Sequence, residues 1–198
     1  MGENATFPSS SELVSGPLWA SGLEDLARFR ALTRNRPATI HSHIRGSSME
    51  PAIPNGARIR IRSAPQDSWR IGQVIVFLAG SRIAAHRIVH AGQGDVARHF
   101  VLTHGDNNWL CDPPVNRSTI VGGVEEFSTG GEWQAVGVPQ MPFHRRMVAR
   151  ASLALMRRSL EWSPAFAIRL SRPMTWLRMG PRRLVSKLRR LRTGHVRH

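Results

Sequence analysis

The stretch "GSSMEPAIPNGARIRIR" (Gly46–Arg62) sets the fold class. Its second part, "ARIRIR" over 57–62, alternates apolar and charged residues with period two, the pattern of a strand with one face buried. Its first part cannot continue a helix or a central strand, because Pro51 and Pro54 fix φ and offer no N–H. "PNG" at 54–56 is a turn signal. The segment 38–62 therefore reads as a strand, a turn that presents Ser47 and Ser48, and a second strand.

Working outward, strand patterns recur at short spacing. "GQVIVFLAG" (72–80) is an apolar run bounded by glycines, and "RIAAHRIVHA" (82–91) follows it directly. "HFVLTHG" (99–105) ends in the polar turn "DNN", and "TIVGGVEEF" (119–127) is the last of the set. Strands so closely spaced, with few helical patterns between them, predict a mainly β, antiparallel domain. Upstream, residues 1–17 are polar and aperiodic and predict disorder. Residues 18–34 place Leu23, Leu26, Phe29 and Leu32 at helical spacing and predict a short N-terminal helix.

Charge divides the chain. Residues 141–198 carry 15 of the 28 basic residues against one acid, Glu161, a net +14, whereas residues 1–140 carry 13 basic against 12 acidic, a net +1. The reading is a nearly neutral β-domain over 18–140 and a basic, amphipathic α-helical tail over 141–198, two or three short helices broken at Pro173 and Pro181. Trp162 and Trp176 stand at polar–apolar borders of that tail, the composition of helices that lie in a membrane interface. Contact with an anionic membrane or a membrane partner is the expected role. A helix packed on the β-domain is the second choice and nucleic acid the last. The tail reads as separable, so that cleavage chemistry in the neutral body survives its removal.

Other function classes are narrowed by what the chain contains. One cysteine, Cys111, forms no intramolecular disulfide. No run reaches the ~18 apolar residues of a membrane span. The N-terminus lacks the basic start and apolar core of a secretory signal, so the expected location is cytoplasmic or peripheral on a membrane. "HSH" (41–43) and "HRIVH" (86–90) raise a metal site, but residues four apart on a strand are ~13 Å apart and two ligands alone are weak. No metal and no other cofactor is expected.

The chemistry-bearing residues fall at the edges of different strands. A serine that attacks a carbonyl needs a base, a group that orients the base, and donors for the oxyanion. Ser48, His86 and Asp112 supply the first three in chain order, with Asp106 nearby in "GDNN". Spacing alone leaves the plainer readings open: a satisfied core histidine, and an aspartate that caps a turn with its carboxylate on backbone N–H groups.

Four blocks in order resemble the type I signal peptidases and their relatives: "GSSMEPAIPNG", "IGQVIVF", "AAHRIV", and "LTHGDNNWLCDPPV" with "IVGGV". The resemblance covers roughly residues 38–127 and implies the signal-peptidase-like β-fold. It implies that the nucleophile is the serine before the methionine, Ser48 ahead of Met49. It implies the Ser–His type, as in the endoplasmic-reticulum and archaeal members, because His86-Arg87 stands where bacterial members carry lysine and Lys187 is the only lysine in the chain. Asp112 then takes the place of the orienting acid and Asp106 that of the "GDNN" aspartate. Gly46 offers no side-chain hydroxyl to an oxyanion hole, leaving backbone donors such as the Ser48 N–H. The chain departs from the family pattern at Cys111, His104 and Gln73. The implied function is a serine endopeptidase acting on an extended leader or signal segment. The alternatives are a self-cleaving repressor of the same fold, disfavoured by the 47 residues before Ser48 and the absence of an upstream Ala-Gly bond, and a catalytically inactive binding protein.

Overall fold

The computed structural model describes residues 38–65, 68–79, 82–138 and 141–177, with the backbone alone at 82 and 172–177. The expected disorder over 1–17, the expected helix over 18–34, and residues 178–198 lie outside the described residues. Eight strands are described: β1 (Thr39–His43), β2 (Arg58–Arg62), β3 (Val74–Ala79), β4 (Arg82–Ala91), β5 (Phe100–His104), β6 (Val115–Asn116), β7 (Ile120–Ser128) and β8 (Gln134–Ala135). Two helices follow, α1 (Phe143–Trp162) and α2 (Pro164–Leu177). All pairings are antiparallel, in the order β1-β2-β7-β3-β4-β5-β6, with β8 added to β7. The mainly antiparallel β class expected from the strand spacing is the one observed.

The side-chain pattern explains the layering. On β2, Ile59 and Ile61 are buried while Arg58 and Arg62 face water, as the alternation requires. β3 is apolar without alternation because both of its faces are covered. Val74 and Val76 join Ile40, Met49, Ile53 and Ile61 in one cluster. Ile75 and Phe77 join Trp69, Ile88, Val101 and Ile120 in a second.

The helices correct the reading of the tail as separable. Met156 and Leu160 of α1 and Ala167 of α2 are fully buried, at 0% exposure, in a third cluster with Ala97, Leu102 and Cys111 of the β-domain. Burying a side chain of that size contributes about 2 kcal/mol, so α1 and α2 are bound to the body. The break between the helices falls at Ser163-Pro164, where the Ser163 hydroxyl accepts from the Phe166 N–H at 3.4 Å and proline takes the first helical position. The expected break at Pro173 does not occur: α2 runs through it to Leu177. An internal proline costs one backbone hydrogen bond, and this helix continues without it.

One consequence of the fold is a pH-dependent stability. His90 on β4 is 9% exposed, and its Nε2 has no hydrogen-bond partner among the described residues. Burial pushes the His90 imidazole below its ordinary value of 6.5, and Arg157 pushes the same way while Glu161 pulls back. Burial, with Arg60 and Arg58, lowers His41 in the same direction. The folded state thus binds these protons less tightly than the unfolded chain. The share of stability that rests on these two neutral imidazoles is complete above about 6.5 and is lost as pH falls below it. Melting temperatures measured between pH 7.5 and 5.5 are expected to fall for the wild type and to fall less for His90→Gln, with the His41 share remaining.

Candidate active site

Ser48 sits on a loop between β1 and β2 that closes on itself. Ile44 N–H donates to Ala57 O at 2.9 Å and Gly56 N–H to Ile44 O at 3.0 Å, which pins the two stems together. Gly46, at φ +99°, turns the chain in a conformation that side chains resist, and its N–H donates to Asn55 Oδ1 at 2.9 Å. After the serine, Ile53 N–H donates to Met49 O at 2.9 Å, so Met49 and Ile53 lie one turn apart. Both are plugged into the first cluster at 1% and 0% exposure. The methionine beside the serine is therefore an anchor, and it leaves Ser48 half-exposed at the surface.

His86 comes from β4, opposite Ile75 of β3, with its ring edge-on to Phe77 at 6.1 Å between centroids. Asp112 comes from the loop after β5 and is 3% exposed. The three residues meet. His86 Nε2 lies 3.1 Å from Ser48 Oγ, and His86 Nδ1 lies 2.6 Å from Asp112 Oδ2. An ionised carboxylate only accepts, so Nδ1 carries the proton and the lone pair of Nε2 faces the serine hydroxyl. Thr103 Oγ1 donates to the same Oδ2 at 2.7 Å, and Asp112 N–H donates to Thr103 O at 2.8 Å. Thr103 is a member the sequence reading missed; its only signal is its place in "VLTHGD", cross-strand from Ile88.

Asp106 plays a different part from the expected turn cap. The turn closes through its backbone, Asn108 N–H to Gly105 O at 2.7 Å. The Asp106 carboxylate instead accepts two bonds from Arg87, from Nε at 3.0 Å and from Nη2 at 2.7 Å. The remaining guanidinium donors reach Gly72 O at 2.8 Å and Gly137 O at 2.9 Å. A planar fork on a carboxylate 2% exposed, with the leftover donors on carbonyls, is how a buried pair offsets its desolvation cost. The Asp106 carboxylate is buried and the Arg87 side chain mostly so, and a cap on backbone amides would leave Arg87 unmatched.

The Gly105–Asp112 loop also touches the serine loop. Asn107 N–H donates to Ser48 O at 2.7 Å and Asn107 Nδ2 to Ser47 O at 2.9 Å. A Cβ at Gly105 would stand 2.9 Å from Ser48 O and 2.5 Å from Asn108 Nδ2, so only glycine lets the two loops approach. α1 reaches this loop in turn: Arg145 donates to Asn107 Oδ1, and Cys111 N–H donates to Ser152 Oγ at 3.1 Å.

No protein-family model, curated protein or solved structure matches this chain.

The two buried aspartates have separable effects on stability. Asp106→Asn leaves the Arg87 guanidinium half-matched and is expected to cost about 3 kcal/mol, the scale for breaking a buried pair. Asp112→Asn retains an oxygen for Thr103 and strands no cation, so its cost is expected to be smaller. Urea unfolding of both variants against wild type checks the order; a larger loss for Asp112→Asn would reverse the roles.

Proposed function

We propose that this chain is a serine endopeptidase of the type I signal-peptidase-like class, with the fold of that class and a Ser–His–Asp apparatus. The observation that carries the reading is the unbroken chain of contacts from Ser48 Oγ through His86 to Asp112. His86 Nε2 takes the hydroxyl proton as Ser48 Oγ bonds the peptide carbonyl carbon. The Ser48 N–H, which enters no hydrogen bond among the described residues, is the candidate donor to the developing oxyanion. The imidazolium, held by Asp112, returns its proton to the leaving amine, and an acyl-enzyme remains. Water gives a proton to His86 and its oxygen to the acyl carbon; the imidazolium then returns that proton to Ser48 Oγ as the acyl carbon–oxygen bond breaks, which frees the carboxylate product and Ser48. By its resemblance the substrate is an extended leader or signal segment with small side chains before the cut.

The partner reading concerns the outward face of α1 and α2. Phe143, Met147, Leu155, Trp162 and Phe166 are exposed, with Trp162 at 83% and in edge-on contact with Phe166. Arg146, Arg150 and Arg158 are exposed on the same helix. Residues 141–177 carry seven arginines against Glu161 alone. An apolar strip flanked by cations matches an anionic lipid surface.

Two experiments test these readings. A fluorophosphonate probe is expected to label the wild type and Ser47→Ala but not Ser48→Ala. Peptide cleavage is expected to fall by several orders of magnitude in both Ser48→Ala and His86→Ala, with the double variant little worse, because such residues act as a unit. Cleavage is also expected to rise with pH, since only neutral imidazole takes a proton. Full cleavage by Ser48→Ala sinks the assignment, and an unlabelled, inactive wild type favours a binding protein of the same fold.

For the membrane face, the full chain is expected to sediment with anionic vesicles and not with neutral ones. Binding should weaken in Leu155→Ala/Trp162→Ala and in added salt, which contracts the Debye length from ~8 Å at physiological strength to ~3 Å at 1 M. Equal binding to neutral and anionic vesicles would remove the electrostatic part of the idea.

A further inference from the structure

The serine loop and the loop that carries Asp112 are joined by one residue, and that residue is held from outside the β-domain. Asn107 binds Ser48 O through its backbone and Ser47 O through its side-chain Nδ2. An amide that donates in one direction must accept in the other. Its Oδ1 accepts from Arg145 Nη1 of α1, and the same Nη1 lies 3.4 Å from Asn107 O. Were the amide flipped, its NH2 would face the guanidinium, donor against donor, and Ser47 O would lose its partner. Arg145 thereby selects the amide orientation that serves the serine loop.

The grip extends along α1. The Arg145 guanidinium lies over Trp109 at 5.4 Å from the ring centroid, and His144 stacks obliquely on the same ring at 5.6 Å. Two turns on, Ser152 Oγ accepts from Cys111 N–H, the residue before Asp112, while donating to Ala149 O at 2.9 Å. Contacts at 107, 109 and 111 hold the whole segment between the nucleophile's support and the orienting acid. Among the described residues, the Arg145 side chain bonds Asn107 and neither the Ser48 hydroxyl nor the His86 ring.

We propose that α1 is a positioning element of the active site, with Arg145 acting through Asn107 to set the Ser47–Ser48 backbone. The inference rests on the peptidase reading for its kinetic arm only. Small displacements of a reacting group cost heavily, about 100-fold in rate for ~1 Å. The Ser48 N–H meets the oxyanion, a charge that develops only in the transition state, so the loss falls on kcat and leaves KM.

The test uses the full chain. Arg145→Met keeps a flexible apolar side chain of similar length beside Trp109 and removes the guanidinium donors. It is expected to lower kcat by about 10- to 100-fold with KM within about twofold, and Arg145→Lys to recover part of the loss. In an Asn107→Ala background, Arg145→Met should add no more than about twofold, because the two act in series. Wild-type kcat in Arg145→Met, or losses that add in full, overturns the proposal. Amide exchange supplies a readout free of turnover: Arg145→Met should speed exchange of the Asn107 N–H while Leu102, on a core strand, stays protected. Unchanged Asn107 exchange overturns it too. A wild type that neither cleaves nor labels would end the peptidase reading and leave the exchange arm to decide the clamp. If Arg145→Met also loses Leu102 protection, the variant has unfolded and Asn107→Asp decides. A carboxylate there still holds Arg145 but has no donor for Ser47, so kcat falls with protection kept if the clamp is real, and keeps its wild-type value if it is not.

Discussion

A carboxylate removed from water must find donors or lose its charge, and two such groups lie six residues apart on one loop. Asp106 and Asp112 are 4% and 3% exposed. Their partners come from two strands: Arg87 and His86 from β4, and Thr103 from β5. Neighbouring residues of β4 thus serve neighbouring needs, since successive side chains of a strand point to opposite faces. His86 turns toward Asp112 and the serine, and Arg87 turns toward Asp106. The Gly105–Asp112 loop is fixed at both carboxylates, and everything that depends on its shape, including the seat of Ser48, follows.

Much of this was legible before any coordinates. The alternation in "ARIRIR" gave the inward isoleucines of β2, and the unbroken "VIVF" run became a strand covered on both faces. Ser48, His86 and Asp112 were selected from one block each and stand within hydrogen-bond reach. The missing pieces share a physical cause: they depend on pairing across the sheet, which local pattern does not carry. The Arg87–Asp106 pair spans 19 positions. β6 and β8 have two residues each, too short to show a period.

The helices were misjudged as a detachable tail for a related reason. The buried face of α1 is made of Ser152, Met156, Ser159 and Leu160. Half of it is serine, so a search for apolar periodicity sees only part of the stripe. Those serines are satisfied inside the helix or by Cys111, which lets a polar residue sit where an apolar one was expected. The abundant arginines drew the reading toward solvent, while Arg145 lies inward on Trp109 and Asn107.

The order in which these parts occur along the chain has its own meaning. Ser48 precedes His86, His86 precedes Asp112, and the helix that grips their common loop follows all three. Synthesis proceeds from the N-terminus, so Ser48 leaves the ribosome before His86, Asp112 and the helix that grips their loop. A hydroxyl without its base is an ordinary, feeble nucleophile. On the peptidase reading proposed above, the serine therefore lacks its base until β4 has emerged and paired. α1, which follows all of these strands in the chain, can take hold of the Gly105–Asp112 loop only after they have been made.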